Sequence, residues 1–204
     1  ALTDLLLERG ATVIACELDR GLAGLLRDRY DDQLNSGQFR LIVGDCLEGK
    51  HAINAEIIEA LAGRPFRLVA NLPYQAASPL MILLATRHHP SLGRPTCLGQ
   101  FVTIQREVAD RLRAAPGSRE FGEMGALVQA TSEVRRIALL PPGCFWPPPK
   151  ITSEMVSIIP LAKPMTTDIE SLSKICRILF THRRKQLGSI LARETTIALD
   201  ALPA

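Results

Sequence analysis

The sequence predicts an α/β fold built on a doubly wound, mostly parallel sheet. Two observations carry that expectation: short apolar runs that each close on a glycine or a polar residue, and helical stretches of roughly 10 to 15 residues that alternate with them. A third is composition. At 204 residues and 47% hydrophobic, the chain has apolar side chains enough for one core, or for a core with a small appendage.

The elements follow in order. Leu2, Leu5, Leu6 and Leu7 form the stripe of a helix over residues 1–9, stopped at Gly10, a natural C-cap. Residues 12–16 are a continuous apolar run, the mark of a strand covered on both faces. A helix over residues 20–30 leads to a strand over 39–43 that closes on Gly44 and Asp45. A helix near 55–62 then precedes a third strand, 67–70, that closes on Asn71. Ser78 can cap a helix with Pro79 in its first position and Leu80, Met81, Leu83 and Leu84 on its buried side, running to about residue 86. Residues 98–104 read as a strand, and 105–114 as a charged amphipathic helix ending before Pro116 and Gly117. From Gly122 the rhythm changes. Residues 125–131 fit either type, while 134–140 and 155–159 read as late strands, antiparallel because only the proline-rich stretch 141–150 joins them. After Pro160 and Pro164 helices are expected over 168–180 and 184–192. A boundary near residue 162 divides a sheet domain, 1–161, from a small helical domain, 162–204.

Composition narrows the function. The formal charge is +3, so any surface for nucleic acid must be local. No apolar run reaches the roughly 18 to 20 residues of a membrane helix, and a soluble protein is expected. The cysteines Cys16, Cys46, Cys97, Cys144 and Cys176 are irregularly spaced and odd in number, which points to reduced thiols in the cytoplasm, with Cys16 and Cys97 as small buried hydrophobes. His51, His88, His89 and His182 lack ligand spacing, so no metal site is expected. The chain opens on what reads as a helix in progress, and its start is expected to be truncated rather than processed.

In an open α/β sheet ligands sit beyond the carboxyl ends of the strands, so the polar residues there are the candidates. Glu17, after the run ending at Cys16, can accept two ribose hydroxyls, or can be an exposed carboxylate beside Asp19. Asp45 can accept a hydrogen bond from an adenine amine, or can simply close a Gly-Asp turn. Asn71-Leu72-Pro73-Tyr74 is more telling. The exocyclic nitrogen of adenine is a poor nucleophile because its lone pair is delocalised into the ring. A site that methylates it must hold both N–H donors with acceptors, so that the lone pair turns toward the methyl donor. The Asn71 side-chain oxygen and the Leu72 carbonyl can do so where Pro73 fixes the turn, and Tyr74 offers a stacking face. The plain alternative is a strand-ending turn anchored by a Tyr. Downstream, Phe145-Trp146-Pro147-Pro148-Pro149-Lys150-Ile151 is a stiff segment led by two aromatics. It reads either as a ligand for a proline-binding domain or as the second wall of the same base pocket.

These residues together resemble the ribosomal RNA adenine N6,N6-dimethyltransferases. The resemblance runs over nearly the whole chain: Cys16-Glu17-Leu18-Asp19, Gly44-Asp45, Asn71-Leu72-Pro73-Tyr74 with Ser78-Pro79-Leu80, Gln105-Arg106-Glu107-Val108 with Arg111-Leu112, residues 145–151 with Ser153, and Arg183-Arg184-Lys185. It implies a Rossmann-like, S-adenosylmethionine-dependent methyltransferase sheet with a small helical C-terminal domain. It also implies dimethylation of adjacent adenosines in small-subunit rRNA during ribosome assembly, on a pre-30S-type particle and by a monomer. Glu17 with Leu18 would hold the cofactor ribose, Asp45 its adenine amine, with Cys46 or Leu47 lining that pocket. Asn71 would face both cofactor and target, Leu72 and Pro73 would complete the catalytic turn, and Tyr74 and Phe145 would sandwich the target base. Proton loss needs no strong base, because the alkylated amine is acidic.

Three departures from the family pattern shape the expectation. The glycine-rich loop and its strand have no counterpart before Ala1-Leu2-Thr3, so the sheet should want a central member and the chain as it stands should be inactive. Gln75-Ala76-Ala77 stands where Asn-Ile-Ser is usual, and the tail is short. For rRNA contact, Arg183, Arg184 and Lys185 are preferred, while the arginines at 106, 111 and 113 interleave with Glu107 and Asp110 and read equally as a solvated helix face. Two alternatives compete: a large-subunit rRNA methylase of the macrolide-resistance type, and a non-catalytic RNA- or DNA-binding relative. Leu72 and the three prolines before Lys150 favour the small-subunit enzyme, and intact Glu17, Asp45, Asn71 and Tyr74 favour retained chemistry.

Overall fold

The computed structural model describes residues 2–49, 52–92, 95–186 and 188–190, with the side chains of 74 and 75 excepted. Helix α1 (Leu2–Glu8) ends as its glycine requires: Gly10 takes φ +79°, and the Gly10 and Ala11 amides donate to the Leu7 and Leu6 carbonyls at 2.9 and 3.0 Å. Strand β1 (Val13–Glu17) follows, then α2 (Arg20–Arg29), whose first turn is capped by Asp19 Oδ1 accepting from the Leu22 amide at 2.9 Å. A five-residue helix, α3 (Asp31–Asn35), leads into β2 (Phe39–Val43), which pairs parallel with β1 from Val13↔Phe39 to Glu17↔Val43.

A two-residue hairpin, β3 (Leu47–Glu48) with β4 (Ala52–Ile53), precedes α4 (Ala55–Leu61). Strand β5 (Phe66–Asn71), helix α5 (Tyr74–Arg87), strand β6 (Cys97–Gln105) and helix α6 (Arg106–Arg113) complete the alternating part. Helix α7 (Glu123–Thr131), strands β7 (Ser132–Leu140) and β8 (Ser153–Pro160), and helix α8 (Ile169–Thr181) follow. Among the described residues no helix is long and apolar enough to cross a membrane.

The strands do not form one continuous sheet. β1 and β2 stand as a pair, and a four-stranded sheet runs β5-β6-β8-β7, parallel at β5/β6 and antiparallel at β6/β8 and β7/β8. Each of β1 and β5 thus has one strand neighbour among the described residues. Both line a single cleft of about 970 Å³. Every residue of β1 is half-buried, where an apolar run would ordinarily be covered on both faces.

Several elements differ from the sequence expectation for identifiable reasons. Helix α5 starts at Tyr74, one turn before the expected Ser78 cap, because the Pro73 carbonyl accepts from the Ala76 and Ala77 amides at 3.1 and 3.0 Å. Pro79 therefore lies inside the helix, where the bond it cannot make is the one to the Gln75 carbonyl in the first turn. The ambiguous stretch 125–131 is helical. Its Gly125 weakens the helix signal but is needed: a Cβ there would stand 2.7 Å from the Arg111 carbonyl, so only glycine lets α7 pack this closely on α6. Of the expected helix at 184–192, residues 187, 191 and 192 lie outside the described residues; 184 and 185 are turn and bend rather than helix, and 188–190 are helical.

The main core joins α5, α6 and α7 to one face of the larger sheet through Met81, Leu112, Val128, Val102, Val156 and Ile158, all fully buried. A smaller cluster beneath β1 and β2 holds Leu7, Tyr30 and Phe39, with the two rings 4.9 Å apart. After the expected boundary the chain returns to the sheet domain. The Leu161 and Met165 amides donate to the Thr131 and Ala130 carbonyls at 2.9 and 2.8 Å, and Phe180 of α8 meets Phe121 edge-on at 5.7 Å.

Candidate active site

The carboxyl ends of β1, β2 and β5 open on the cleft. Glu17 closes β1, Asp45 lies two residues beyond β2, and Asn71 closes β5, as the strand pattern required. Together with Leu18, Cys46, Leu72 and Pro73 they line a space that also extends along the whole of β1 and β5. Seven of the sequence-nominated residues are thus brought together from three separate segments of chain.

Local hydrogen bonds fix each of them. Glu17 Oε1 accepts from the Asp19 amide at 2.9 Å, which holds the carboxylate over the turn into α2. Asp45 Oδ1 accepts from the Leu47 amide at 3.0 Å, an Asx-type turn that sets its remaining oxygen. The Asp45 carbonyl is in turn held by the Asn54 side-chain amide at 2.9 Å, while Asn54 Oδ1 caps α4 by accepting from the Glu56 amide at 2.8 Å. Asn54 is a positioning residue that sequence reasoning did not single out. Its only mark was an Asn before a helical run. At β5 the Leu72 amide donates to the Thr103 carbonyl at 3.2 Å, continuing the ladder one residue past Asn71↔Thr103. Pro73 at φ −64°, ψ 143° then turns the chain directly into α5. The tripeptide Asn71-Leu72-Pro73 is therefore clamped on one side by β6 and on the other by a helix, with Asn71 exposed and Leu72 buried.

Two thiols line the same cleft. Burial pushes the Cys16 thiol up to about 11, with the neighbouring Cys46 and Asp45 adding to the rise, and Cys46 is raised by burial and by Asp45. Both are neutral at physiological pH, and they serve as apolar wall rather than as nucleophiles. The Cys16 Sγ points at the Gly44 carbonyl, 3.3 Å away. Cys97 is buried as expected.

Leu47 also lines the cleft, while Phe145, Arg183, Arg184 and Lys185 lie outside its lining. Tyr74 is the first residue of α5, adjacent to Pro73, and its side chain is outside what the structure describes. Phe145 is half-buried and extended, at the end of the short 3-10 turn Pro142–Cys144. The sheet register places its segment at the correct end: Gln105 pairs with Ser153 and the Arg106 amide donates to the Thr152 carbonyl at 3.1 Å, so residues 145–152 leave the sheet beyond the carboxyl end of β6, the end at which Asn71 closes β5. Arg183, Arg184 and Lys185 form an exposed turn after α8, and Arg183 is tied back by donation to the Ser118 carbonyl at 3.0 Å. The α6 arginines behave as a salt-bridged face: Arg106 and Arg113 pair with Asp110, and Arg111 pairs with Glu107.

One buried charge was not foreseen. Glu154, at the start of β8, is fully buried; its Oε1 accepts from Arg113 at 2.6 Å and its Oε2 lies 3.0 Å from Arg136, close enough for an ion pair though not aligned as a hydrogen bond. Alternation along β8 marks position 154 only as inward or outward, and nothing local names its partners on α6 and β7.

Comparison with known proteins agrees with this geometry. The family model for ribosomal RNA adenine dimethylase matches residues 1–199. The chain is 37% identical over 191 residues to the ribosomal RNA small subunit methyltransferase A of Phenylobacterium zucineum, covering 93% of this chain and 62% of that protein. It is 32% identical over 193 residues to the protein of the same name from Leptothrix cholodnii, covering 95% and 65%, and 35% identical over 204 residues to that of Hahella chejuensis, covering 99% and 69%. The chain thus spans a little under two thirds of the length of the first two. Among solved structures, a dimethyladenosine transferase from Plasmodium falciparum superposes with a TM-score of 0.69 at 24% identity, over 88% of this chain and 59% of that one. The 23S rRNA methyltransferase ErmE superposes at 0.62 with 19% identity, over 90% and 67%. At these identities the two structures establish the Rossmann-like methyltransferase fold.

Proposed function

The chain belongs to the ribosomal RNA adenine dimethylase family, and on that premise we propose that it carries the machinery for S-adenosylmethionine-dependent dimethylation of the exocyclic N6 of adjacent adenosines in small-subunit rRNA, acting in the cytoplasm on a pre-30S-type particle. The observation that carries this reading is the meeting of Asn71-Leu72-Pro73 with Glu17 and Asp45 on one cleft. Two carboxylates and a strand-end amide oxygen are acceptors of the kind that a nucleoside-bearing methyl donor and an adenine amine call for. When bound, S-adenosylmethionine supplies an electrophilic methyl group on a sulfonium.

The chain's own residues supply position. Glu17, with Leu18 beside it, would accept from the ribose hydroxyls, and Asp45 would accept from the cofactor's adenine amine, with Cys46 as apolar wall. The Asn71 side-chain oxygen and the Leu72 carbonyl accept the two N6 hydrogens of the target, which frees the nitrogen lone pair for in-line attack. The clamped turn keeps those acceptors from reorganising as charge develops. Tyr74 and Phe145 stack on the two faces of the flipped base. Residues 1–161 carry this chemistry. Residues 162–204 contribute the RNA surface, in which Arg184 and Lys185 meet phosphates and Arg183, through Ser118, brings the exposed Arg119 alongside.

The test uses a protein that joins this chain to the family's glycine-rich strand-and-loop segment. Methyl transfer to rRNA from labelled cofactor is expected, with Asn71→Ala abolishing transfer while RNA affinity changes little, and with Asp45→Ala weakening cofactor binding in calorimetry. Comparable kcat in Asn71→Ala and parent overturns the assignment. RNA binding without any transfer by the parent moves the reading to a non-catalytic member of the fold.

A further inference from the structure

The chain has one tryptophan, Trp146, and it is 95% exposed. An indole left wholly in water is unusual where aromatics are as few as six Phe, two Tyr and one Trp, and a large exposed apolar side chain on a stiff segment marks a contact surface. Its place is defined. Phe145 is extended at φ −125°, ψ 153°, so successive side chains leave the chain on opposite sides. Phe145 is half-buried and Trp146 faces outward. Residues 145–147 form a bend after the 3-10 turn, and the indole stands out from it into solvent. The segment leaves the sheet at the end where Asn71-Leu72-Pro73 opens on the cleft. Lys150, four residues beyond Trp146, is exposed, whereas Arg135 and Arg136 are ion-paired with Glu133 and Glu154.

We propose that Trp146 is a second base-stacking platform, outside the reaction site, on which an unpaired RNA base flanking the target stacks. The proposal rests on the rRNA reading above. An exposed indole on a segment that also carries an exposed lysine suits unpaired nucleic acid, because every base offers a π-face and every linkage a phosphate. A strand that gives up one base to the cleft must pass over the rim that residues 145–150 form, with the indole on its outer side. A stack there holds the neighbouring nucleotide in register and lowers the cost of unstacking the target.

The single tryptophan makes the test direct. A short unpaired oligoadenylate is titrated into the chain with excitation at the red edge of the indole band. Saturable quenching is expected. Trp146→Ala should weaken oligoadenylate binding, followed by anisotropy of a labelled strand, by roughly tenfold, while Trp146→Phe retains most of the affinity. The salt dependence of binding should be the same in all three, since a stack releases no counterions. Because the side chain is exposed, the variants keep the fold. Binding without quenching, or equal affinity for Trp146→Ala and parent, overturns the stacking role and leaves the RNA reading standing. No binding of oligoadenylate by the parent at low salt overturns both. An indole whose partner is another protein gives a flat titration, which also overturns the proposal.

Discussion

Replacing Arg113 by alanine tests how the start of β8, and with it the segment bearing Phe145 and Trp146, is held in place. Glu154 is wholly buried between β6 and β7, while its two cations differ: the Arg113 side chain is 25% exposed and the Arg136 side chain 46% exposed. At an effective dielectric of about 20, unit charges about 4 Å apart attract by about 4 kcal/mol. Breaking a buried pair by removing one partner typically costs about 3 to 5 kcal/mol, because the remaining charge is stranded. Arg136 can partly compensate, and water can enter the space left by the guanidinium, so the low end applies. Arg113→Ala is expected to lose about 3 kcal/mol in urea unfolding, at an unchanged slope, and to lower Tm by roughly 6 to 12 °C. Arg136→Ala, on the exposed side, should lose much less than Arg113→Ala. The deciding variant is Glu154→Gln placed on Arg113→Ala. Removing the stranded charge should restore part of the loss, where an ordinary packing defect would only deepen. A loss under about 1 kcal/mol for Arg113→Ala, or no recovery in the double variant, refutes the reasoning.

Two further predictions concern the cleft and the RNA surface. The Cys16 thiol is held at about 11 in the fold against its ordinary 9.0, so the unfolded chain gives up this proton first as pH rises. Its contribution is therefore complete below pH 9 and is lost as pH climbs toward 11, by less than the roughly 2.7 kcal/mol that two full units would give, since the thiol is only half-buried. Unfolding curves taken across that window should be flatter for Cys16→Ser, and parallel curves refute the assignment. Neutralising Arg184 and Lys185 together should weaken RNA binding and reduce the slope of log affinity against log salt by roughly 0.7 per lost phosphate contact, with cofactor affinity untouched. An unchanged slope would place both charges in solvent only.

Much of the site could be read from the sequence because its residues sit at strand ends, and strand ends are marked locally. Glu17, Asp45 and Asn71 each follow an apolar run, and in an α/β fold that position is itself a location in space. The stop at Gly10 and the antiparallel pairing of β7 with β8 were legible for the same reason: each is fixed by a few neighbouring residues.

The sequence alone determined the alternation of elements, the identity of the strand-end polar groups and the turn chemistry of Asn71-Leu72-Pro73. Only the tertiary structure decided what depends on contacts between distant segments. That Gly125 belongs inside a helix follows from the Arg111 carbonyl pressed against it, a steric fact of α6 on α7. That Asn54 holds the Asp45 backbone, and that Glu154 is neutralised by arginines on two other elements, rests on side chains separated by up to 41 residues in sequence. So too does the division of the sheet, with β1 and β5 each facing the cleft rather than each other. Backbone propensity and hydrophobic period act over a turn or a strand, whereas pairing, close packing and ion neutralisation are settled only when the chain has closed on itself.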